Sequence, residues 1–173
     1  MMESFGNWLD TFEGWRLIND YDWAWPVAEM VHFIGMALLI GTIGLLDLRV
    51  LGVAKGIPIG KLEKLVPVGI AAFTANFLTG CMFVFCNPAG GAVAYTTNLA
   101  FQIKLVLILI AGFNAIAFYV TGIAGQTNAG GPFDDAPRNA KIIAGLSIFL
   151  WIFVIIFGRL IMYNDTLLWF LGM

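Results

Sequence analysis

Four uninterrupted apolar runs constrain this chain more than anything else in it: Trp25 to Leu46, Val66 to Phe85, Ala100 to Val120 and Ile142 to Met162. Crossing about 30 Å of hydrocarbon takes about 20 helical residues at about 1.5 Å each, and every run is long enough. A backbone in lipid has no water to bond, so each run must satisfy its polar groups within a helix or join a closed barrel. Barrel strands are about half this length and alternate in polarity, which these runs do not. The expected fold is all-α: an integral membrane four-helix transmembrane bundle, one domain over 173 residues.

Composition points the same way. Charged residues make up 12% of the chain, against about 25% in a soluble domain. That is too little to coat a water-facing surface while 15 Phe and 6 Trp are buried. The formal charge of -2 and a total of 9 Lys and Arg, with no basic stripe, disfavour nucleic acid as a partner. Cys81 and Cys86 are too few for a disulfide framework and show no zinc-type spacing. The first residues lack a basic start, an apolar run and a small-residue cleavage site, so no cleaved signal peptide and no lipidation motif are expected.

Orientation follows from the cations. Arg49, Lys55, Lys61 and Lys64 lie between the first two runs, and Arg138 and Lys141 between the last two. Positive residues favour the cytoplasmic side, which puts both termini on the periplasmic or outer side of a bacterial inner membrane. Trp8, Trp15, Trp23, Trp25 and Trp169 flank the runs on that outer side, where indoles prefer the interface. Within residues 1–22, Phe5, Trp8, Leu9, Phe12 and Trp15 recur at helical spacing among Asn7, Asp10, Glu13 and Arg16, with Ser4 placed to cap the start. This is an amphipathic interfacial helix, and its acidic bias favours docking onto its own bundle as much as onto lipid. The loop Gly122 to Asn139, rich in Gly, Asn, Asp and Pro, reads as solvated and mobile.

Ionisable groups inside the runs need a partner or a task. Glu29, His32, Lys104 and Arg159 lie about 6, 10, 6 and 6 Å inside the outer ends of their runs, counting about 1.5 Å per residue. Three helices thereby meet in one polar layer, with Gln102, Thr79, Cys81, Met82, Cys86, Met162 and Tyr163 at the same depth. Glu29 and His32, three apart, share a helix face. One reading is an ion-pair clamp in which Glu29 pairs with Arg159 or Lys104. The other is a site for an anionic ligand: haem propionates, a quinone head group or a lipid phosphate. For a b-type haem, His32 is the chain's only histidine and would be the iron ligand, with Met82 or Met162 as a second axial ligand, a five-coordinate iron, or sharing across a homo-oligomer. Asp47 and Arg49 read as anchors, Asp47 pairing with Lys141 or Arg138 and Arg49 reaching lipid phosphates. Asn76 and Asn114 are placed to bond between helices, and Ala37, Gly41, Gly44, Ala111 and Ala115 to let helices approach closely.

The string WPVAEMVHFIGMALLIGTIGLLDLRVLG, with Thr79-Gly80, Asn98, Phe101, Lys104, Gly112, Asn114 and the ending GRLIMY, resembles a family of uncharacterised bacterial four-helix inner-membrane proteins. The resemblance covers most of the chain and implies the fold; it brings no established activity. In that family a histidine often stands where this chain has Gln102, which with His32 implies a bis-histidine haem site between the first and third spans. This sequence departs from that pattern at Gln102. The expected function is a small inner-membrane redox or electron-transfer subunit holding b-type haem or quinone in the outer polar layer. The alternative is a non-catalytic accessory or assembly subunit of a larger membrane complex, or a homo-oligomer, with the layer as a clamp.

Overall fold

The computed structural model describes residues 1–11, 20–88, 90–128 and 133–172. Among them are nine α-helices and no strand: α1 (Met2–Leu9), α2 (Ala24–Leu51), α3 (Ile59–Leu62), α4 (Val66–Phe85), α5 (Gly91–Thr96), α6 (Leu99–Val120), α7 (Ile123–Asn128), α8 (Arg138–Leu160) and α9 (Asn164–Leu171). Four stretches are long and apolar enough to cross a membrane, Ala24–Leu51, Ile59–Phe85, Leu99–Val120 and Arg138–Leu171. The all-α four-helix membrane bundle is thus the fold, with spans starting a little earlier and running longer than the apolar runs alone indicate.

Local chemistry sets the helix ends. Gly52, at φ +103°, closes α2: its N–H donates to the Arg49 carbonyl at 3.0 Å and the Val53 N–H to Leu48 at 2.9 Å, the paired bonds of a Schellman stop. Pro67 lacks an N–H and its ring crowds the carbonyl four residues back, at Glu63. The turn Glu63–Leu65 before α4 is accordingly a 3-10 helix. Asn98 caps α6, its Oδ1 accepting from the Phe101 N–H at 3.0 Å.

The chain divides into two compact units, and each long helix contributes to both. The first comprises Met1–Met36, Ala72–Leu105 and Ile156–Met173. In it α1 docks on α5: Gly6 is buried so tightly that a Cβ would lie 2.8 Å from the Val93 Cα, and Asp10 Oδ1 accepts from the Ala92 N–H at 2.8 Å. The N-terminal amphipathic helix therefore packs on its own chain. It begins at Met2 with no side-chain cap, so Ser4 lies inside it. Phe12, Glu13, Trp15 and Arg16 lie outside the described residues.

The second unit comprises Ala37–Ala71 and Val106–Ile155. Its core is Leu46, Val50, Ile59, Ala136, Ala140 and Ala144. The buried stripe Ala140, Ala144, Ser147 on α8 follows helical spacing. Small residues there let backbones come close, the main source of packing energy between helices in lipid. Asn114 Nδ2 donates to the Ile143 carbonyl at 3.1 Å, the expected interhelical bond. Gly69 also marks close packing, since a Cβ there would meet Thr42 Oγ1 at 2.9 Å. At Gly41 and Gly44, by contrast, a Cβ would meet nothing within 4 Å. Ala37 and Ala115 are exposed, so the small face expected there is realised only at Ala111. The connection after α6 is not one open loop. It folds into α7, because burying Ala124 and Thr127 removes apolar surface from water and the Thr127 hydroxyl bonds back to the Ile123 carbonyl at 2.7 Å.

Asp135 ties two connections of this unit together, its Oδ1 lying 2.8 Å from Lys55 Nζ and 3.2 Å from Lys141 Nζ. The expected Asp47–Lys141 pair does not form, because Lys141 is engaged here. The bonds from Lys55 and then Lys141 hold the Asp135 carboxyl below its ordinary value of 3.8. A carboxylate depressed in the folded state contributes stability above its unfolded value and loses it as pH falls through the folded one. The tie is therefore expected to persist to below pH 3.8. Carboxyl NMR titration checks this, and a midpoint at or above 3.8 would rule out the bridge in solution.

Candidate functional site

The first unit brings together part of the polar layer. His32, half-buried on α2, places Nδ1 2.7 Å from Thr79 Oγ1 of α4. Thr79 has a single hydroxyl hydrogen, and its Oγ1 also lies 2.8 Å from the Ala75 carbonyl and 3.2 Å from the Asn76 carbonyl, which take it. The imidazole is therefore placed to donate to Thr79 through Nδ1–H. Phe83 stands edge-on to the His32 ring at 5.3 Å, and Trp25 packs on Phe83 at 5.2 Å.

Asn76 locks the two helices at the same level. With its amide oriented to satisfy both atoms, the nitrogen donates to the His32 carbonyl at 2.7 Å and the oxygen accepts from the Met36 N–H at 3.0 Å. This approach needs Gly35, where a Cβ would come within 2.6 Å of the Asn76 side chain and 3.2 Å of the Ala72 carbonyl. Gly35 thus fixes where α4 presents Thr79 to His32.

Lys104, half-buried on α6, runs along α8, where a Cβ at Gly158 would sit 3.4 Å from its Nζ. Its charge acts on the His32 imidazole, and the salt bridges among the described residues do not include it. Glu29 is exposed and accepts a hydrogen bond from Trp25 Nε1 at 3.0 Å on its own helix. Arg159 is exposed as well, its guanidinium carbon 5.6 Å from the centre of the Tyr163 ring. The expected ion pair of Glu29 with Arg159 or Lys104 is not formed. Geometry explains this: Glu29 and Arg159 point out of the bundle from their helices, whereas Lys104 points in.

Gln102 is occupied structurally, its Nε2 donating to the Thr96 carbonyl at 2.8 Å and closing the end of α5. Met82 is half-buried on α4, one turn beyond Thr79, and Met162 is 77% exposed. Cys81 and Cys86 remain thiols, although α4 ends between them at Phe85. Sequence reading missed Phe83 and Tyr95. Phe83 follows Thr79 by four residues and so shares its face, a signal that was available. Tyr95 comes from the short α5, which apolar periodicity does not reveal. Burial raises its phenol above the ordinary value, and the Glu29 carboxylate nearby adds to this, so the phenol stays neutral at physiological pH.

The first unit thus holds a histidine bonded through Nδ1 to Thr79, an ammonium whose charge reaches it, and the rings of Phe83 and Trp25. Among the described residues no cluster of three or more His, Cys, Asp and Glu could hold a metal ion by itself. The chain matches no known protein family, no curated protein and no solved structure.

Proposed function

We propose that this protein is a small redox or electron-transfer subunit of a bacterial inner membrane, with both termini on the outer side, whose polar layer takes a quinol head group. The observation that carries the reading is the His32–Thr79 bond. With Nδ1 engaged by Thr79, the neutral imidazole has Nε2 left as an acceptor for a ligand. A quinol hydroxyl is a matching donor, and the Lys104 ammonium is suited to stabilise the oxygen as its proton leaves. The aromatic side chains Phe83 and Trp25 offer stacking surfaces for one ring.

A b-type haem is the related alternative. His32 would hold the iron through Nε2, with Thr79 orienting the ring through Nδ1, and the haem would supply one-electron chemistry there. Its fit is poorer, because Phe83 already lies against the imidazole, Gln102 is spent on Thr96, and Met162 is exposed.

A second reading, an accessory or assembly subunit, is favoured by the outward Glu29 and Arg159. Charges exposed on membrane helices call for a protein partner. The test is an organic extract and an absorption spectrum of protein purified in mild detergent. Quinone is expected in the wild type and reduced at least roughly tenfold in His32→Ala, the loss of about one good hydrogen bond. A Soret band that shifts on dithionite reduction would replace quinol with haem. Neither chromophore, with stoichiometric co-purifying subunits, would leave the accessory reading in its place.

A further inference from the structure

Among the described residues Arg49 is the largest fully buried side chain, at 2% exposure. Its Nε donates to the Ile57 carbonyl at 2.6 Å. Both terminal amino groups are also buried and meet no acceptor among the described residues. This is not the snorkelling anchor that its position at the end of a span suggests. A guanidinium stays charged at any physiological pH, and a buried cation without partners is strongly disfavoured, so such a group signals a ligand. Its two parallel N–H edges match a phosphate or carboxylate in bidentate fashion. Asp47 does not serve, because residues two apart on a helix face different ways and its carboxylate is turned to Ser147 of α8.

The segment covering Arg49 carries a second, independent signal. Among the described residues, the non-glycine positions with positive φ are Ala54 at 53° and Phe133 at 72°. These two lie in segments clasped to one another: the Phe133 N–H donates to the Lys55 carbonyl at 3.0 Å, and Lys55 pairs with Asp135 at 2.8 Å. Left-handed residues with a Cβ are strained, and such strain gathers at ligand clamps and moving covers. Ala54 lies in the turn whose Ile57 carbonyl holds Arg49 Nε, and Phe133 is bonded to that same turn at Lys55. Next to it α2 turns Leu45, Leu48 and Leu51 outward, 53%, 41% and 38% exposed, an apolar track along which acyl chains can lie.

We propose that the Arg49 guanidinium, beneath the clasp of residues 52–57 and 133–135, is a binding site for the headgroup phosphate of an anionic phospholipid. The clasp opens, the phosphate oxygens take the two amino groups, and the acyl chains follow the α2 leucines.

Thermal unfolding of the full-length protein in neutral detergent tests this, with added phosphatidylglycerol, phosphatidylcholine or inorganic phosphate. Phosphatidylglycerol is expected to raise the midpoint by about 5 °C or more at saturation. Phosphatidylcholine, whose phosphate is masked by its choline, is expected to do much less. Arg49→Lys keeps the charge and loses the fork, and is expected to lose most of the shift. The double variant Lys61→Gln/Lys64→Gln, two exposed lysines on the same connection, is expected to keep it. An equal, Arg49-dependent shift with inorganic phosphate would retain the phosphate site and replace the lipid with a soluble donor. If wild-type protein shows no shift with either, or the shift follows Lys61 and Lys64, the proposal fails. Because the wild-type titration decides on its own, a misfolded Arg49 variant does not shelter it.

Discussion

Replacing Gly35 with valine is expected to cost about 3 kcal/mol of bundle stability, from overpacking together with two broken hydrogen bonds. The first side-chain carbon would come within 2.6 Å of the Asn76 amide and 3.2 Å of the Ala72 carbonyl. The amide can swing away, but it then releases the His32 carbonyl and the Met36 N–H. The Ala72 carbonyl is backbone of α4 and moves only with its helix. Either relief changes the level at which Thr79 meets His32, so the proposed quinol binding should fall along with stability. Equilibrium unfolding in mixed micelles, with Gly35→Ala as the milder member of the pair, provides the measurement. A valine variant as stable as wild type would show that α2 and α4 do not approach here. Gly80, where a Cβ meets nothing within 4 Å, is the matched control and should accept alanine without loss.

Asn98→Ala is the second large effect, with an expected cost of about 2 kcal/mol. This one buried side chain serves two elements: Oδ1 caps α6 at the Phe101 N–H, and Nδ2 donates to the Ile161 carbonyl at 2.9 Å. Asn164 returns the contact, its Oδ1 accepting from the Leu99 N–H at 3.0 Å. Truncation leaves a buried donor and a buried acceptor together, each costly where water is scarce. Asn98→Asp separates the two duties. It retains the capping oxygen and loses the donor, so about half of the stability should return. Equal losses for the two variants would mean that the bond to Ile161, rather than the cap, carries the whole effect.

The polar layer shows how far residue types alone can be read. His32 and Lys104 are at one depth because both count inward from span ends on the same side, and that arithmetic needs no tertiary information. Facing is different. Glu29 and His32 are three apart on α2, yet Glu29 turns to Trp25 and out of the bundle while His32 turns to Thr79. Three residues along a helix differ by about 60°, given 3.6 residues per turn, enough to separate the interior from the surface at the edge of a buried stripe. Depth was legible and azimuth was not. The partner of Gln102 was not legible either, since it is the end of α5, whose Gly-rich start carries no helical signal. Arg49 is buried rather than reaching outward because the segment after the Schellman stop returns to it, the Ile57 carbonyl accepting from Arg49 Nε and the Lys55 carbonyl from the Phe133 N–H.

What the sequence by itself determined is the class of fold and the ends of its elements. Four apolar runs of membrane-spanning length, with no water to satisfy an irregular backbone, leave helices as the solution. Gly52, Pro67 and Asn98 act through their own covalent geometry at the positions where helices stop or start. Only the tertiary structure decided which polar groups meet. In lipid nearly every side chain on a span is apolar, so hydrophobic pattern does not distinguish the packed face from the lipid face. That choice falls to a few close contacts, such as Gly35 on Asn76 and Gly69 on Thr42. Their identity depends on pairs of residues far apart in the chain, which no local period records.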